Sequence, residues 1–190
     1  MEQWVHGKTI DLLKVAYNYE ERGQSVILYS AAIDNRYEKS TITTRIGISR
    51  PCRTFSKETN IFLDIVQHNY KPDCVLVDEA QFLSKAQVKE LTDVVDFLNI
   101  PVICYGLKTD FRQEFFEGSE MLMRMADKIE EIKTICDCGQ KATINMRFID
   151  GKPVIDGNQI VIGGNDSYKS VCRKCFRKYI GKIEKRGSQD

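Results

Sequence analysis

Two neighbouring carboxylates, Asp78 and Glu79, directly follow a run of four apolar residues that begins at Cys74. The run predicts a strand buried inside a sheet, whose carboxyl end would deliver both acids into a site. Gln81 and Phe82 follow, and an amide and an aromatic ring at a strand end match the crevice in which open α/β sheets bind ligands. On a regular strand the two carboxylates would point to opposite faces, so we expect one to face a metal ion and the other an acceptor group. A solvated strand end is the alternative.

A second group of candidate residues lies near the start of the chain, where Gly7, Lys8 and Thr9 open a helical pattern. Backbone amides at the start of a helix and a lysine ammonium together bind phosphate oxygens. A full phosphate loop carries an earlier glycine, and Glu2 stands at that position, so the tripeptide alone is a weak signal. In combination with Asp78 it indicates nucleotide chemistry with a magnesium ion.

Four of the seven cysteines form two closely spaced pairs that are separated by 33 residues. Thiolates at such spacing come from tight turns that aim the sulfurs inward, and four of them complete a tetrahedral shell around zinc. Because a closed shell leaves no position for a substrate, the metal would be structural. Scattered buried cysteines are the alternative, and this is the interpretation for Cys52, Cys74 and Cys104. The predicted zinc ligands are Cys136, Cys138, Cys172 and Cys175.

The composition limits the class of protein. A chain of 190 residues, 42% of them hydrophobic, can bury one substantial core and a small additional module. With 28 Lys and Arg against 27 Asp and Glu, the formal charge is +1, which disfavours a polyanion or an anionic membrane as a partner. No apolar run is long enough for a bilayer and no secretory signal is evident, so we expect a cytoplasmic protein with reduced thiols.

Alternating strands and helices must position these residues. Helical spacing of apolar residues predicts the helices, short apolar runs predict the strands, and Ser84 with Gln87 has the spacing of a capping box. The polar segment from Asp34 to Pro51 predicts a mobile loop or ribbon. The alternation indicates a doubly wound α/β fold with a parallel sheet. The predicted helices are residues 9–22, 57–69, 84–98 and 121–126, and the predicted strands are residues 25–32, 74–78, 102–107 and 129–135.

Several aromatic residues are candidates for a slot that binds a flat base, because stacking and burial favour aromatic rings there. A core role is the more frequent alternative, so we expect only two or three of them to contact a ligand. The candidates are Phe82, Phe111, Phe115, Phe116 and Tyr168.

Taken together, these motifs resemble those of the type II thymidine kinases, the zinc-containing group, and of its bacterial members in particular. The similarity runs from Gly7 to Lys178. Besides the four cysteines it is carried by Gly7–Thr9, Asp34–Tyr37, Ser49–Arg50, Val77–Phe82, Gly106–Arg112, Gly163–Asn165 and Tyr168.

The resemblance implies a P-loop (RecA-like) parallel sheet flanked by helices and a small C-terminal zinc-ribbon-like lasso domain. The implied domains are residues 1–135 for nucleotide binding, residues 136–180 for the lasso and residues 181–190 for a flexible tail. The loop from Thr143 to Gly164 would close over the substrate as a lid. Similar proteins begin with a strand and a complete phosphate loop, and residues 1–6 differ from that pattern, so we expect weakened ATP binding and activity.

For function, the resemblance implies transfer of the γ-phosphate of ATP to the 5′-hydroxyl of thymidine, with deoxyuridine as a second substrate. Glu79 would be the general base, and Arg36 would lie near the transferring phosphoryl group. Structural zinc and magnesium with ATP would be the cofactors. The implied contacts of ATP and its phosphates are Gly7, Lys8, Thr9, Asp78 and Gln81. The implied contacts of the thymine ring are Phe82, Leu107, Phe111, Phe116, Gly164 and Tyr168.

The resemblance further implies a homotetramer of nucleotide salvage that dTTP inhibits. From the near-zero charge and the lack of a long apolar run we expect it to be cytoplasmic and to bind neither a nucleic-acid polymer nor a membrane. Two alternatives stay open at this point. One is a zinc-ribbon P-loop ATPase that acts on nucleic acid, against which the single core and the near-zero net charge argue. The other is a catalytically impaired relative that still binds the nucleoside.

Overall fold

The computed structural model describes residues 7–32, 41–44, 47–159 and 166–187. The chain falls into two compact units. The sheet unit comprises Lys8–Lys108 and Phe116–Glu130. The cysteine unit comprises Thr109–Phe115 and Glu131–Asp190, together with the N-terminal residues to Gly7. The domain limits at residues 135 and 180 stay a prediction.

The sheet unit alternates helices and strands along the chain, as predicted, except that three further short strands follow β1 before α2. In chain order its elements are α1 (Lys8–Glu20), β1 (Val26–Ala31), β2 (Thr41–Thr43), β3 (Ser49–Pro51), β4 (Arg53–Phe55), α2 (Ile61–Val66), β5 (Cys74–Val77), α3 (Lys85–Leu98), β6 (Val102–Cys104) and α4 (Glu117–Met125).

A parallel four-stranded sheet with the strand order β4-β1-β5-β6 forms the centre of this unit, which confirms the predicted α/β fold. All four residues of β5 are completely buried, and this explains why the strand reads as an unbroken apolar run. Helices α2, α3 and α4 pack their apolar residues on the sheet, among them Ile61, Val88, Leu91, Val94 and Met121. Asp78 directly follows β5 and therefore lies at the carboxyl edge of the buried sheet.

The helix ends follow ordinary capping chemistry. Ser84 and Gln87 form the predicted capping box at the start of α3, which confirms that helix boundary. Asn99 ends α3 in a left-handed conformation at φ 53°, and Gly23 follows α1 at φ 71°. Among the helices of the described residues, none combines the length and apolar character needed to cross a membrane.

Two expectations about the sheet unit need correction, and one strand was not predicted. Helix α2 begins at Ile61 and not at residue 57, because the Asn60 side chain accepts the N–H of Leu63 at 2.8 Å and caps the helix there. Helix α4 begins at Glu117 and not at Met121. Strand β4 is short, and no apolar run in the sequence predicts it.

The predicted ribbon is confirmed for the part of the segment 34–51 that the structure describes. Strands β2 and β3 pair antiparallel, with Thr41 opposite Pro51. Arg50 Nη1 lies 2.5 Å from Glu20 Oε2, which joins the ribbon to the end of α1. Residues 33–40 and 45–46 lie outside the described part.

The cysteine unit is built on a three-stranded antiparallel sheet with the order β10-β9-β11. A two-stranded hairpin precedes it and one helix follows it. The buried residues Met146, Phe148, Val171 and Phe176 form its small apolar core. Its elements are β7 (Thr134–Ile135), β8 (Lys141–Ala142), β9 (Ile144–Ile149), β10 (Lys152–Val154), β11 (Asp166–Val171) and α5 (Arg173–Gly187).

Two expectations about this unit are wrong in part. The strand expected at residues 129–135 is limited to Thr134–Ile135, which pairs antiparallel with β8. The segment expected as a lid loop contains the hairpin of β9 and β10, because Asp150 and Gly151 both adopt positive φ, at 47° and 74°, and form a tight two-residue connection. Residues 160–164 of that segment lie outside the described part.

Candidate active site and metal centre

The start of α1 and the end of β5 bring four polar side chains together inside the sheet unit. Thr9 Oγ1 donates to Asp78 Oδ2 at 3.2 Å. Lys8 Nζ lies 3.7 Å from Glu79 Oε2. The structure therefore places a helix start, an ammonium group, a hydroxyl and two carboxylates at one location, as expected for a site that binds phosphate and a cation.

The backbone at Glu79 explains how both carboxylates reach the same location. The strand ends at Val77, and Glu79 adopts φ 52° and ψ 38° before a 3₁₀ turn at Ala80–Phe82. The two acids were expected on opposite faces only if the strand continued regularly, and the backbone leaves the strand conformation before Glu79. A left-handed conformation costs a non-glycine residue on the order of 1 kcal/mol or more, and such strain is typical of functional sites.

Burial distinguishes the two acids. Asp78 is 4% exposed, whereas the Glu79 side chain is 40% exposed. Burial first, and the negative charge of Glu79 second, raise the pKa of the Asp78 carboxyl to about 6. The buried carboxylate would be relieved by a cation, and the Thr9 hydroxyl beside it supplies a second oxygen. These two oxygen donors fit Mg²⁺, which prefers hard oxygen ligands.

The Gln81 amide makes one hydrogen bond from its nitrogen and one to its oxygen within the sheet unit. The side chain is 2% exposed, its Nε2 donates to Glu79 Oε2, and its Oε1 accepts the N–H of Leu107 at 3.0 Å. The expected contact between Gln81 and phosphate stays a prediction. No local sequence pattern predicts the link to Leu107, because Gln81 lies in the turn after β5 and Leu107 lies in the segment after β6.

Three of the predicted thymine contacts belong to the sheet unit. The rings of Phe82 and Phe116 meet edge to face with centroids 5.7 Å apart. Leu107 is half-buried, and its carbonyl accepts the Ser119 hydroxyl at 2.6 Å. Phe82, Leu107 and Phe116 are thus held by packing and hydrogen bonds.

The other predicted contacts belong to the cysteine unit or lie outside the described residues. The Phe111 ring is 1% exposed, with the Arg147 guanidinium carbon 5.3 Å from its centroid. Tyr168 lies on β11, opposite Arg147 of β9. Arg36 and Gly164 both lie outside the described residues.

A buried aspartate that sequence analysis missed shapes the loop around Phe111. The Asp110 residue is 3% exposed, and its carboxylate accepts the backbone N–H groups of Arg112 and Glu114 at 2.8 and 2.9 Å. The Arg112 side chain donates to the same carboxylate at 3.0 Å. Aspartate that accepts a backbone N–H two residues on is a recurrent turn device, and this signal was present in the sequence.

The four predicted zinc ligands converge within the cysteine unit. Their sulfur atoms all lie within 4.8 Å of one another, and the Sγ atoms of Cys138 and Cys172 are 3.6 Å apart. Gly139 at φ 81° closes the turn that carries the first pair. The backbone N–H of Cys175 donates to Cys172 Sγ at 3.4 Å and, as the main cause, lowers the pKa of the Cys172 thiol to about 7. Four convergent thiols, one of them easily ionised, fit a tetrahedral zinc ion.

The remaining three cysteines belong to the sheet unit. Cys74 is completely buried, as expected, whereas Cys52 and Cys104 are half-buried. Burial raises the pKa of the Cys52 thiol to about 11, so this side chain is an unreactive thiol at neutral pH.

Comparison with known proteins gives a consistent result. A family model described as thymidine kinase matches residues 3–176. The chain is 52% identical over 180 residues to a thymidine kinase of Mannheimia succiniciproducens, which covers 93% of this chain and 92% of that protein. It is 54% identical over 180 residues to a thymidine kinase of Haemophilus influenzae, covering 93% of each chain. It is 54% identical over 171 residues to a thymidine kinase of Listeria monocytogenes, covering 89% of this chain and 90% of that protein.

Proposed function

Because the chain belongs to the thymidine kinase family, we propose that it transfers the γ-phosphate of ATP to the 5′-hydroxyl of thymidine, giving dTMP, with deoxyuridine as a second substrate. One structural observation supports this proposal above all others. The start of α1, with Lys8 and Thr9, lies against the end of β5, with Asp78 and Glu79. Phosphate-binding groups and a reachable carboxylate thus occupy one site.

On the phosphate side, Lys8 and the α1 N-terminus after Gly7 bind the negatively charged oxygens of ATP. Asp78 and the Thr9 hydroxyl hold Mg²⁺. Bound Mg²⁺ supplies charge neutralisation on the phosphate oxygens. By family pattern, Arg36 adds a further positive charge near the transferring group.

On the acceptor side, Glu79 takes the proton of the 5′-hydroxyl as that oxygen attacks the γ-phosphorus. Its carboxylate is 40% exposed, so a nucleoside hydroxyl can reach it. Transfer through a loose transition state depends on positioning and charge neutralisation more than on a strong base. The ion pair of Glu79 with Lys8, at 3.7 Å, places the base beside the phosphate-binding group before either substrate arrives.

For the nucleoside, we propose that Phe82, Leu107 and Phe116 contact the thymine ring. The contacts of Phe111 and Tyr168 stay predictions. A methyl group contributes only about 1 to 3 kcal/mol to discrimination, so deoxyuridine should be accepted. Cytosine presents an amino group where thymine has a carbonyl, leaves polar groups unpaired and should be rejected.

Zinc is proposed to be structural, because four cysteine sulfurs leave no open coordination position. The assembly as a homotetramer, the inhibition by dTTP, the cytoplasmic location and the role in nucleotide salvage are proposed from the family pattern.

The test measures the formation of ADP and dTMP by the purified protein with Mg-ATP and thymidine. Replacing Glu79→Gln removes the proton acceptor and keeps the shape of the side chain. We expect kcat to fall about 100-fold or more, with the thymidine KM nearly unchanged. The control Glu21→Gln changes an exposed glutamate at the end of α1 in the same way and should retain full turnover.

Other outcomes would identify the alternatives. ATP consumption that requires single-stranded DNA and ignores thymidine would indicate a nucleic-acid ATPase. Calorimetric binding of thymidine without any turnover would indicate an impaired relative. Full activity of the Glu79→Gln variant would exclude Glu79 as the base.

A further inference from the structure

We propose that Gln81 is a positioning residue that holds the catalytic carboxylate of Glu79 and the nucleoside-binding loop at Leu107 in fixed relation to each other. The inference rests on the proposed function, since it assigns Glu79 the role of base and Leu107 the role of a thymine contact. It gives Gln81 a task inside the protein in place of a contact to phosphate.

The donor half of the amide fixes Glu79. Gln81 Nε2 donates to Glu79 Oε2, the same oxygen that faces Lys8 Nζ at 3.7 Å. Glu79 stands in a left-handed conformation, and its side chain would otherwise be free to rotate in solvent. One neutral donor and one cation therefore hold the carboxylate where it can accept a proton.

The acceptor half of the amide fixes the nucleoside-binding loop. Gln81 Oε1 accepts the N–H of Leu107 at 3.0 Å, and the Leu107 carbonyl accepts the Ser119 hydroxyl at 2.6 Å. Both backbone groups of Leu107 are thus held by buried side chains, since Gln81 is 2% and Ser119 is 6% exposed. An amide has one donor and one acceptor end, which is the composition this position requires.

The position of Gly106 agrees with this role. A Cβ atom on Gly106 would lie 3.0 Å from the Gln81 backbone nitrogen and 3.1 Å from Gln81 Oε1. These separations are tighter than ordinary contacts, so a side chain at residue 106 would displace the amide. Gly106 and Gln81 therefore offer two independent ways to disturb the same arrangement.

The test compares two replacements of Gln81 by steady-state kinetics with thymidine. Gln81→Glu keeps an oxygen for the Leu107 N–H and loses the donor to Glu79. Gln81→Leu loses both contacts and adds no charge. We expect kcat to fall about 30-fold or more in both variants, because Glu79 is no longer held.

The thymidine KM separates the two halves of the amide. It should stay within about threefold in Gln81→Glu and rise about tenfold in Gln81→Leu, where the Leu107 N–H loses its acceptor. Gly106→Ala should also lower kcat, by about fivefold, because it displaces the Gln81 amide while leaving Gln81 itself unsubstituted. The control Gln24→Glu makes the same chemical change on the surface after α1 and should leave both constants unchanged.

The inference is overturned if the Gln81→Leu variant keeps kcat within about threefold, or if every variant loses activity only in proportion to its loss of folded protein in urea titrations. Should the Gln81 variants fail to fold, unchanged kinetics of a folded Gly106→Ala protein would overturn it as well. A wild-type protein without thymidine-dependent turnover would instead refute the proposed function, and this is seen before any variant is made.

Discussion

The ionised carboxylate of Asp78 lowers the stability of the folded protein when no cation is bound to it. Its carboxylate is almost completely buried, with the Glu79 N–H at 2.9 Å and the Thr9 hydroxyl at 3.2 Å as hydrogen-bond donors. Burial and the charge of Glu79 raise its pKa from 3.8 to about 6, so ionisation at neutral pH destabilises the folded state. The negative charge of Asp78 is thus available to bind a cation, and the folded state is less stable because of it.

Replacing Asp78→Asn should therefore stabilise the protein in the absence of Mg-ATP. Because the folded protein binds the Asp78 proton more tightly than the unfolded chain, wild-type stability falls as pH rises from about 4 to 6. The neutral variant lacks this loss and should be more stable by roughly 3 kcal/mol at pH 7, with the difference vanishing near pH 4. Urea titrations of both proteins between pH 4 and 8 measure it.

The same variant should have lost nearly all kinase turnover, since the asparagine cannot neutralise a cation. A variant that is less stable than wild type at pH 7 would contradict the assignment of Asp78 as a strained, raised-pKa acid. Asp96→Asn makes the same chemical change at an exposed position of α3 and is the matched comparison.

At the scale of single residues, the sequence predicts the polar groups of the site but not their partners. Lys8, Asp78 and Glu79 are visible because helix starts and strand ends have local signatures. The partner of Gln81 is the backbone of Leu107, 26 positions away, and only the pairing of β5 with β6 brings the two together. The left-handed backbone of Glu79 was equally invisible, since glutamate has no preference for it.

At the scale of elements, the packing of α4 depends on the absence of a side chain. A Cβ atom on Gly118 would lie 2.6, 2.7 and 2.9 Å from the carbonyl oxygens of Leu83, Ala80 and Gln81. All three are backbone atoms of the 3₁₀ turn and the residue that follows it, so they have no free rotamer into which to move. The first turn of α4 thus lies directly on the segment that carries Gln81.

Gly118→Ala should destabilise the protein by about 2 kcal/mol or more, although alanine favours a helix by about 1 kcal/mol over glycine. The clash is with backbone, so α4 or the 3₁₀ turn must shift. Urea titration measures the free energy of unfolding.

Gly181→Ala is the matched control, because a Cβ atom on this helical glycine of α5 meets nothing within 4 Å. It should leave stability unchanged or raise it slightly. Equal effects of the two replacements would mean that the α4 packing is looser than the structure indicates.

Most elements could be predicted from local chemistry, and the failures have identifiable causes. The capping box at Ser84 and the apolar run of β5 were read correctly because both signals are strong and local. The predicted start of helix α4 is too late, because Gly118 resembles a loop residue in the sequence. The close approach of Gly118 to the 3₁₀ turn explains why a glycine stands inside this helix. The hairpin of β9 and β10 was missed although Asp150-Gly151 is a good turn signal, because the resemblance indicated a loop.

At the scale of the whole molecule, the predicted family and α/β fold are confirmed by the comparisons and by the parallel sheet. The position of the metal ligands was predictable because paired cysteines in one chain have few other uses. How the segment Thr109–Phe115 joins the cysteine unit was not predictable, since its contacts are made with residues distant in sequence, such as Gln159 and Arg147.

Loss of one zinc ligand should destabilise the cysteine unit while the other three thiols remain. We expect Cys138→Ser to abolish the binding of about one zinc ion per chain and to lower the thermal midpoint by on the order of 10 °C. Metal analysis and circular dichroism measure both effects.

Cys52→Ser should keep the zinc and the midpoint, because Cys52 belongs to the sheet unit and is not one of the four clustered cysteines. Retention of zinc by the Cys138→Ser protein, at the wild-type ratio, would show that the four sulfurs are not the ligand set.

The four sulfur atoms lie within 4.8 Å of one another, so a bound metal ion would also protect them from oxidation to disulfides. Once a chelator has stripped the ion, any two of these thiols can couple in air, and a centre with two sulfurs consumed cannot be refilled by adding zinc. Zinc binding is then restored only if a reductant is added before the metal, so the order of the two additions decides whether the protein recovers its metal site.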